Sequence, residues 1–293
     1  MDLTKAKKNN RLMKSLTGMS VDEFEILLPR FEQCLKEAGM KKDRQRAIGG
    51  GKKGVLSSPA HKLFFMLFYL KVYPVYDVAG FLFGGVDKSR PCRWVSDLLP
   101  ILEKALGRTC RLPARKIESV EEFFRLFPST KDLFVDGTER PAQRPKGKNQ
   151  ARRYSGKKNR HTRANLLGCN ERKEILLLSP TRNGKAHDKK LWDKSSWEPA
   201  IPPDIALWLD KGFEGIHGPN VIRPKKKHKN KELTPEQKQE NKIISGLRII
   251  NEHAIAGIKR LNSLSHVYRN RKGQDDKFIL LASGIWNLHL QTS

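Results

Sequence analysis

The sequence predicts an all-α N-terminal part followed by an α/β part built on a mixed sheet of about five strands flanked by helices. Three observations carry this. Apolar residues recur at helical spacing up to about residue 106, short apolar runs separated by polar turns begin at Leu133, and one long helical pattern lies beyond 236. A chain of 293 residues exceeds the roughly 150 typical of one domain, so two units are expected. The expected division is 1–107, a connector at 108–130, and 131–293.

Ser20-Val21-Asp22-Glu23 is a capping-box pattern, and Phe24, Leu27, Leu28, Phe31 and Leu35 follow at helical spacing before Gly39. Pro29 is a potential kink in that helix. A glycine- and lysine-rich loop follows, then Ser58-Pro59 reads as an N-cap with proline in the first turn, starting a helix that runs to about Val72. Its apolar run, Leu63 to Leu70, is most simply core. From Val75 the pattern is a short apolar helix, a Gly84-Gly85 turn and a longer helix from about Ser89 to Leu106, the outline of a helix-turn-helix. Trp94, Leu98, Leu102 and Leu106 would share its buried stripe, leaving Lys88, Arg90 and Arg93 at the end where recognition helices meet DNA. An ordinary helical hairpin with solvated arginines gives the same outline.

One short capped helix, SVEEFFRLF, interrupts the connector. Beyond it DLFV, HTRANLLGC, EILLLS, IALWLD and NVIRP are the five strands. From Glu236 to about Leu264, Ile243, Leu247, Ile250, Ala254, Ile258 and Leu261 step by three and four, which predicts one helix with one continuous buried face.

Lys and Arg number 58 against 31 Asp and Glu, a formal net charge of +27, so the surface attracts polyanions and nucleic acid is the expected partner. Cys34, Cys92, Cys110 and Cys169 are scattered without a paired spacing and read as reduced thiols rather than a zinc site or disulfide framework. The longest apolar run falls well short of the ~20 residues that span a bilayer. With no apolar leader in its first residues, the chain is expected in the cytoplasm, associated with the nucleoid.

Asp136 closes the first strand in LFVDGTERPAQRP, Asp210 closes the fourth in IALWLDKGFEG, and Glu252 lies on the long helix in IINEHAIAGIKRLN, rotated away from the buried stripe. Each has an ordinary explanation: Asp136-Gly137 and Asp210-Lys211-Gly212 as turns, Glu252 as a partner of Arg248 four residues back. Acids on a basic surface are repelled by phosphate unless divalent cations bridge them, and Mg²⁺ is held by a few carboxylates plus phosphate oxygens. Two such ions can activate an attacking hydroxyl and stabilise the leaving oxygen of an in-line displacement at phosphorus.

Around these acids, residues 139–163 hold ten Lys or Arg and one Glu, and residues 223–231 hold six Lys or Arg and no acid. Arg140, Arg144, Arg152, Arg153, Lys157, Lys158, Arg160, Lys225, Lys226 and Lys227 are assigned to a DNA track. Lys259 is placed two helical turns from Glu252 to hold phosphate, with a solvated lysine as the alternative. Tyr154, His161, His187 and Asp188 lie in motif-like positions and are read first as solvated or hydrogen-bonding loop side chains, with a direct catalytic role as the alternative.

The segments VDGTERPAQRP, YSGKKNRHT, LDKGFEG, RPKKKHKNKELT and NEHAIAGIKRL, in this order, resemble the bacterial insertion-sequence transposases of the DDE class, in the insertion-sequence five family related to Harbinger elements. The N-terminal half resembles the helix-turn-helix domain that precedes the catalytic part in such proteins. The resemblance implies a ribonuclease-H-like fold and makes Asp136, Asp210 and Glu252, spaced by 74 and 42 residues, the catalytic, metal-binding acids. The family commonly shows Asp-Leu-Gly-Tyr-x-Gly where this chain has Asp210-Lys211-Gly212-Phe213-Glu214-Gly215, and Val-Glu-His where it has Asn251-Glu252-His253. It implies two Mg²⁺ ions, with Mn²⁺ as a substitute, and double-stranded DNA, both element ends and target, bound by a homodimer or larger synaptic complex. A transposase-derived DNA-binding protein that does not cut, and a stand-alone metal-dependent endonuclease, are the alternatives.

Overall fold

The computed structural model describes residues 1–40, 54–109, 112–147, 150–226, 232–270 and 273–292. The glycine-rich loop at 41–53, Cys110 and Lys227 lie outside the described residues. The chain forms two compact units that are not consecutive stretches. One comprises Met1–Leu112, Ile258–His266 and Lys277–Ser293, and the other Pro113–Gly257 and Val267–Asp276. A division at 107 comes close to the first boundary, but a second part running unbroken to 293 is not how the chain packs. The reason is apolar: Ile258, Leu261, Leu264 and, further on, Phe278 are buried residues of the first unit.

In that unit α1 (Leu3–Lys7), α2 (Asn10–Thr17), α3 (Val21–Met40), α4 (Pro59–Val72), α5 (Tyr76–Leu82) and α6 (Ser89–Arg108) follow in order. The capping box of α3 is present: Ser20 Oγ accepts from the Glu23 N–H at 3.1 Å while the Ser20 N–H donates to Glu23 Oε2 at 2.7 Å. α3 continues past Pro29 to Met40. Every residue of α4 from Leu63 to Leu70 is buried, which requires cover on all sides. α2, α3 and α6 pack against it, and the Phe278 ring meets those of Tyr69 and Tyr73 at 6.4 and 6.1 Å. The stripe of α6 is buried at Leu98, Leu102 and Leu106 as expected, while half-buried Trp94 packs edge-on against Phe65 at 5.1 Å. Between α5 and α6 the turn uses positive φ at Gly84 (96°) and Gly85 (65°).

The second unit begins around α7 (Val120–Leu126), capped by Ser119. Its strands are β1 (Asp132–Pro141), β2 (Tyr154–Ser155), β3 (Arg160–Cys169), β4 (Ile175–Leu178), β5 (Arg182–Asn183), β6 (Ala206–Leu209) and β7 (Val221–Ile222). Helix α8 (Gln150–Arg153) precedes β2, and α9 (Asp188–Asp193) lies between β5 and β6. The five anticipated strands are all present; β2 and β5, two residues each, are additions too short to show a period. β3 pairs antiparallel with β1, β6 lies parallel on the other side of β1, and β7 parallel beyond β6. The outer edge of β3 is covered in turn by β2, β5 and β4. A mixed sheet with β1 central, flanked by helices, fits a ribonuclease-H-like domain.

The single helix expected over 236–264 is three: α10 (Pro235–Leu247), α11 (Ile249–Lys259) and α12 (Asn262–Ser265), followed by α13 (Asp275–Thr292). The break at Arg248 shifts the phase, so Ile244 is buried and Ile243, counted in the stripe, is 60% exposed. Ala254, Ile258 and Leu261 are buried as expected.

Candidate active site

β1 and β6 pair with Phe134 opposite Trp208 and Val135 opposite Leu209. Side chains alternate along extended chain, so the next residues on the Phe134 and Trp208 face are Asp136 and, just past β6 in extended conformation, Asp210. The two rings beneath them stack at 5.6 Å, on strands about 5 Å apart. Both acids line one cleft with Ile244, Arg248 and Asn251 from α10, α11 and their junction.

Each aspartate is fixed by the turn that follows it. Asp136 Oδ1 accepts from the Gly137 N–H at 2.7 Å, and Asp210 Oδ1 from the Lys211 N–H at 2.6 Å. Asp210 Oδ2 lies 3.2 Å from the Arg248 guanidinium. Burial pushes the Asp136 carboxyl up to about 6; Asp188 and Asp210 add to the rise, while the Gly137 N–H and Arg248 oppose it.

Asp188, read from sequence as a loop side chain, belongs to this neighbourhood. A methyl group on Gly212 would stand 2.7 Å from its Oδ2, and one on Gly137 would overlap its Oδ1. Its carboxyl is raised by burial, with the Asp210 and Glu139 charges adding and Lys157 and His187 opposing. The usable signal was the glycine after each acid, Asp136-Gly137 and Asp210-Lys211-Gly212, each leaving room for something to approach closely.

Glu252 is exposed on α11 and does not line the cleft; its neighbour Asn251 does. Asn251 is 4% exposed, and its Oδ1 is buried without a hydrogen-bond partner. Among the described residues no three Asp, Glu, His or Cys side chains stand together as a metal cage. The oxygens of Asp136 and Asp210 and the unpaired amide oxygen of Asn251 are nonetheless hard donors of the kind that suit Mg²⁺ or Mn²⁺. The residues present therefore fit a divalent cation in an open site, completed by water or substrate oxygens.

Of the cations assigned to DNA, Lys88, Arg90 and Arg93 are exposed at the start of α6. Arg144, Arg152, Lys157, Lys158, Arg160, Lys225 and Lys226 are exposed, and Arg153 and Lys259 are half-buried. Arg140 is misplaced in that set. It is 3% exposed and donates to the Asp275 carbonyl at 2.8 Å, Asn165 Oδ1 at 2.9 Å and Thr181 Oγ1 at 3.0 Å. Its guanidinium ties β1 to β3 and to the start of α13 rather than facing solvent.

A family model described as DDE superfamily endonuclease matches residues 135–287. A probable transposase for the insertion sequence element IS702, from Microchaete diplosiphon, is 30% identical over 294 residues, covering 99% of each chain. No solved structure matches. The family depends on divalent metal. With more than half the chain inside the family model and a full-length relative at this identity, the chain belongs to the DDE superfamily endonucleases and is an enzyme of the DDE transposase class.

Proposed function

We propose that the chain binds the terminal inverted repeats of its own element, cleaves there to leave a 3′-hydroxyl, and directs that hydroxyl onto target DNA. Asp136, Asp210 and Glu252 are the acidic set of this reading. The observation that carries it is the emergence of Asp136 and Asp210 on one face, at one end of adjacent parallel strands. Asp136 and Asp210 would hold the cation, with Glu252 drawn in from its exposed position on α11 once DNA is bound. Bound divalent metal, two Mg²⁺ ions in this reading, would supply activation of the attacking oxygen and charge stabilisation at the leaving oxygen. The residues contribute orientation: each Asp is held by the N–H of its own turn, and Arg248 balances Asp210 until phosphate arrives. Stacked Phe134 and Trp208 form an apolar floor that excludes water from one side.

End recognition falls to the α5–α6 hairpin as a helix-turn-helix. Exposure of Lys88, Arg90 and Arg93 at the first turns of α6 supports this. The two ends would be processed together in a homodimer or larger synaptic complex. No helix among the described residues is long and apolar enough to cross a membrane.

The test is cleavage of labelled DNA carrying the element ends, in Mg²⁺ or EDTA, by wild type, Asp136→Ala and Glu252→Gln. Metal-dependent nicking at the end and joined products are expected from wild type alone, with end binding kept in both variants. Full cleavage by Asp136→Ala would remove Asp136 from the site, and full cleavage by Glu252→Gln would remove Glu252.

A further inference from the structure

We propose that Asn251 is a neutral oxygen ligand of the divalent cation held by Asp136 and Asp210, an assignment that rests on the active-site reading above. Asn251 stands in the first turns of α11 and lines the same cleft as the two acids. Its side chain is almost wholly buried, yet Oδ1 has no hydrogen-bond partner. An amide carbonyl buried in that state carries an uncompensated desolvation penalty, and packed interiors rarely keep one without a use.

The neighbours show what would satisfy it. Around the cleft stand Phe134 and Ile244, which have no donor, Trp208, whose Nε1–H is taken by Asp132 Oδ1 at 2.7 Å, the carboxylates of Asp136 and Asp210, which only accept, and Arg248, whose guanidinium lies 3.2 Å from Asp210 Oδ2. Two acceptor-only carboxylates and a residue whose carbonyl oxygen is unpaired line one small space and share a need for positive charge. A divalent cation meets all three at once, since hard cations take carboxylate and amide oxygens together. The amide would add a donor without adding further negative charge beside the Asp136 and Asp210 carboxylates.

The exposure of Glu252 gives the assignment a further consequence. In the DNA-free protein Asn251, rather than Glu252, is the α11 side chain in the cleft, so cation binding before DNA arrives would depend on Asn251.

The experiment is titration of the full chain, without DNA, with Mn²⁺ followed by electron paramagnetic resonance, and with Cd²⁺ by calorimetry. It compares wild type, Asp136→Asn, Asn251→Leu and Asn251→Cys, with thermal unfolding of each in EDTA. Asn251→Leu should weaken Mn²⁺ about 10-fold while unfolding in EDTA no earlier than wild type, because an unpaired buried polar atom has been removed. Asn251→Cys should raise the ratio of Cd²⁺ to Mn²⁺ affinity by about 10-fold or more, since thiolate is a softer donor than amide oxygen. Wild-type Mn²⁺ affinity in Asn251→Leu, or an unchanged metal ratio in Asn251→Cys, would overturn the assignment. If Asp136→Asn itself keeps wild-type Mn²⁺ affinity, the active-site reading falls instead; loss in Asp136→Asn with no effect at Asn251 removes this inference alone.

Discussion

Asp136 holds its proton more tightly in the folded chain than out of it, and that fixes the sign of its effect on stability. Its carboxyl lies at about 6, against about 4 for an unperturbed aspartate. Between those values the folded state binds the proton and the unfolded state does not, so the contribution of Asp136 to stability falls as pH rises from 4 to 6. Above 6 the deficit is constant. Asp136→Asn keeps an acceptor for the Gly137 N–H, so in EDTA it should be more stable than wild type at pH 7.5 by at most about 3 kcal/mol. The advantage should vanish near pH 4. Chemical denaturation of both proteins across that range checks it; an advantage that does not change with pH would show that burial is not the cause. Arg140 makes the opposite case. Its partners are fixed, buried and specific, so Arg140→Ala should cost about 3–5 kcal/mol, as when one member of a buried charged network is removed. If that variant instead unfolds like wild type and only loses DNA affinity, Arg140 belongs to the DNA surface after all.

Gly80 decides the geometry of the α5–α6 turn. A methyl group there would overlap the Val86 carbonyl oxygen, while the Val86 N–H donates to the Gly80 carbonyl at 3.0 Å. The clash is with backbone and cannot be relieved by rotating a side chain, so Gly80→Ala must push the turn away from α5. Binding of element-end DNA by Gly80→Ala should fall to the level of unrelated DNA, with metal binding at the Asp136 cleft unchanged; retained end preference would detach the hairpin from recognition. The elements themselves were legible where the pattern is local. The α3 capping box, the apolar run of α4 and strands β1, β3, β4 and β6 all follow from spacing within a few residues. What was not legible depends on distant partners. The buried role of Arg140 needs Asp275, 135 residues away, and the approach of Asp188 to Gly137 and Gly212 needs the sheet to be folded first. The phase error over Ile243 has a local cause, the break at Arg248, but Gly246 was its only warning in the sequence.

A net charge of +27 draws polyanions to the molecule, and the structure sorts which charges are ready to meet phosphate. In the second unit Lys225 pairs with Glu240 at 2.6 Å and Lys226 with Glu214 at 3.0 Å. Lys157, Lys158 and Arg160, around the β2–β3 turn, are exposed and form no salt bridge among the described residues. A phosphate that takes Lys225 or Lys226 must first displace a carboxylate, whereas one that meets the turn does not. Each released counterion contributes about 0.9 to the slope of log affinity against log salt. Replacing Lys157, Lys158 and Arg160 together by Ala should therefore flatten the slope by roughly 2–3 units. Replacing Lys225 and Lys226 should flatten it by clearly less per residue, because Glu240 and Glu214 are freed at the same time to repel the phosphates. Fluorescence anisotropy over about 50–200 mM salt distinguishes the two. Equal losses per charge would mean that only the total field matters and that the ion pairs do nothing to select which surface DNA uses.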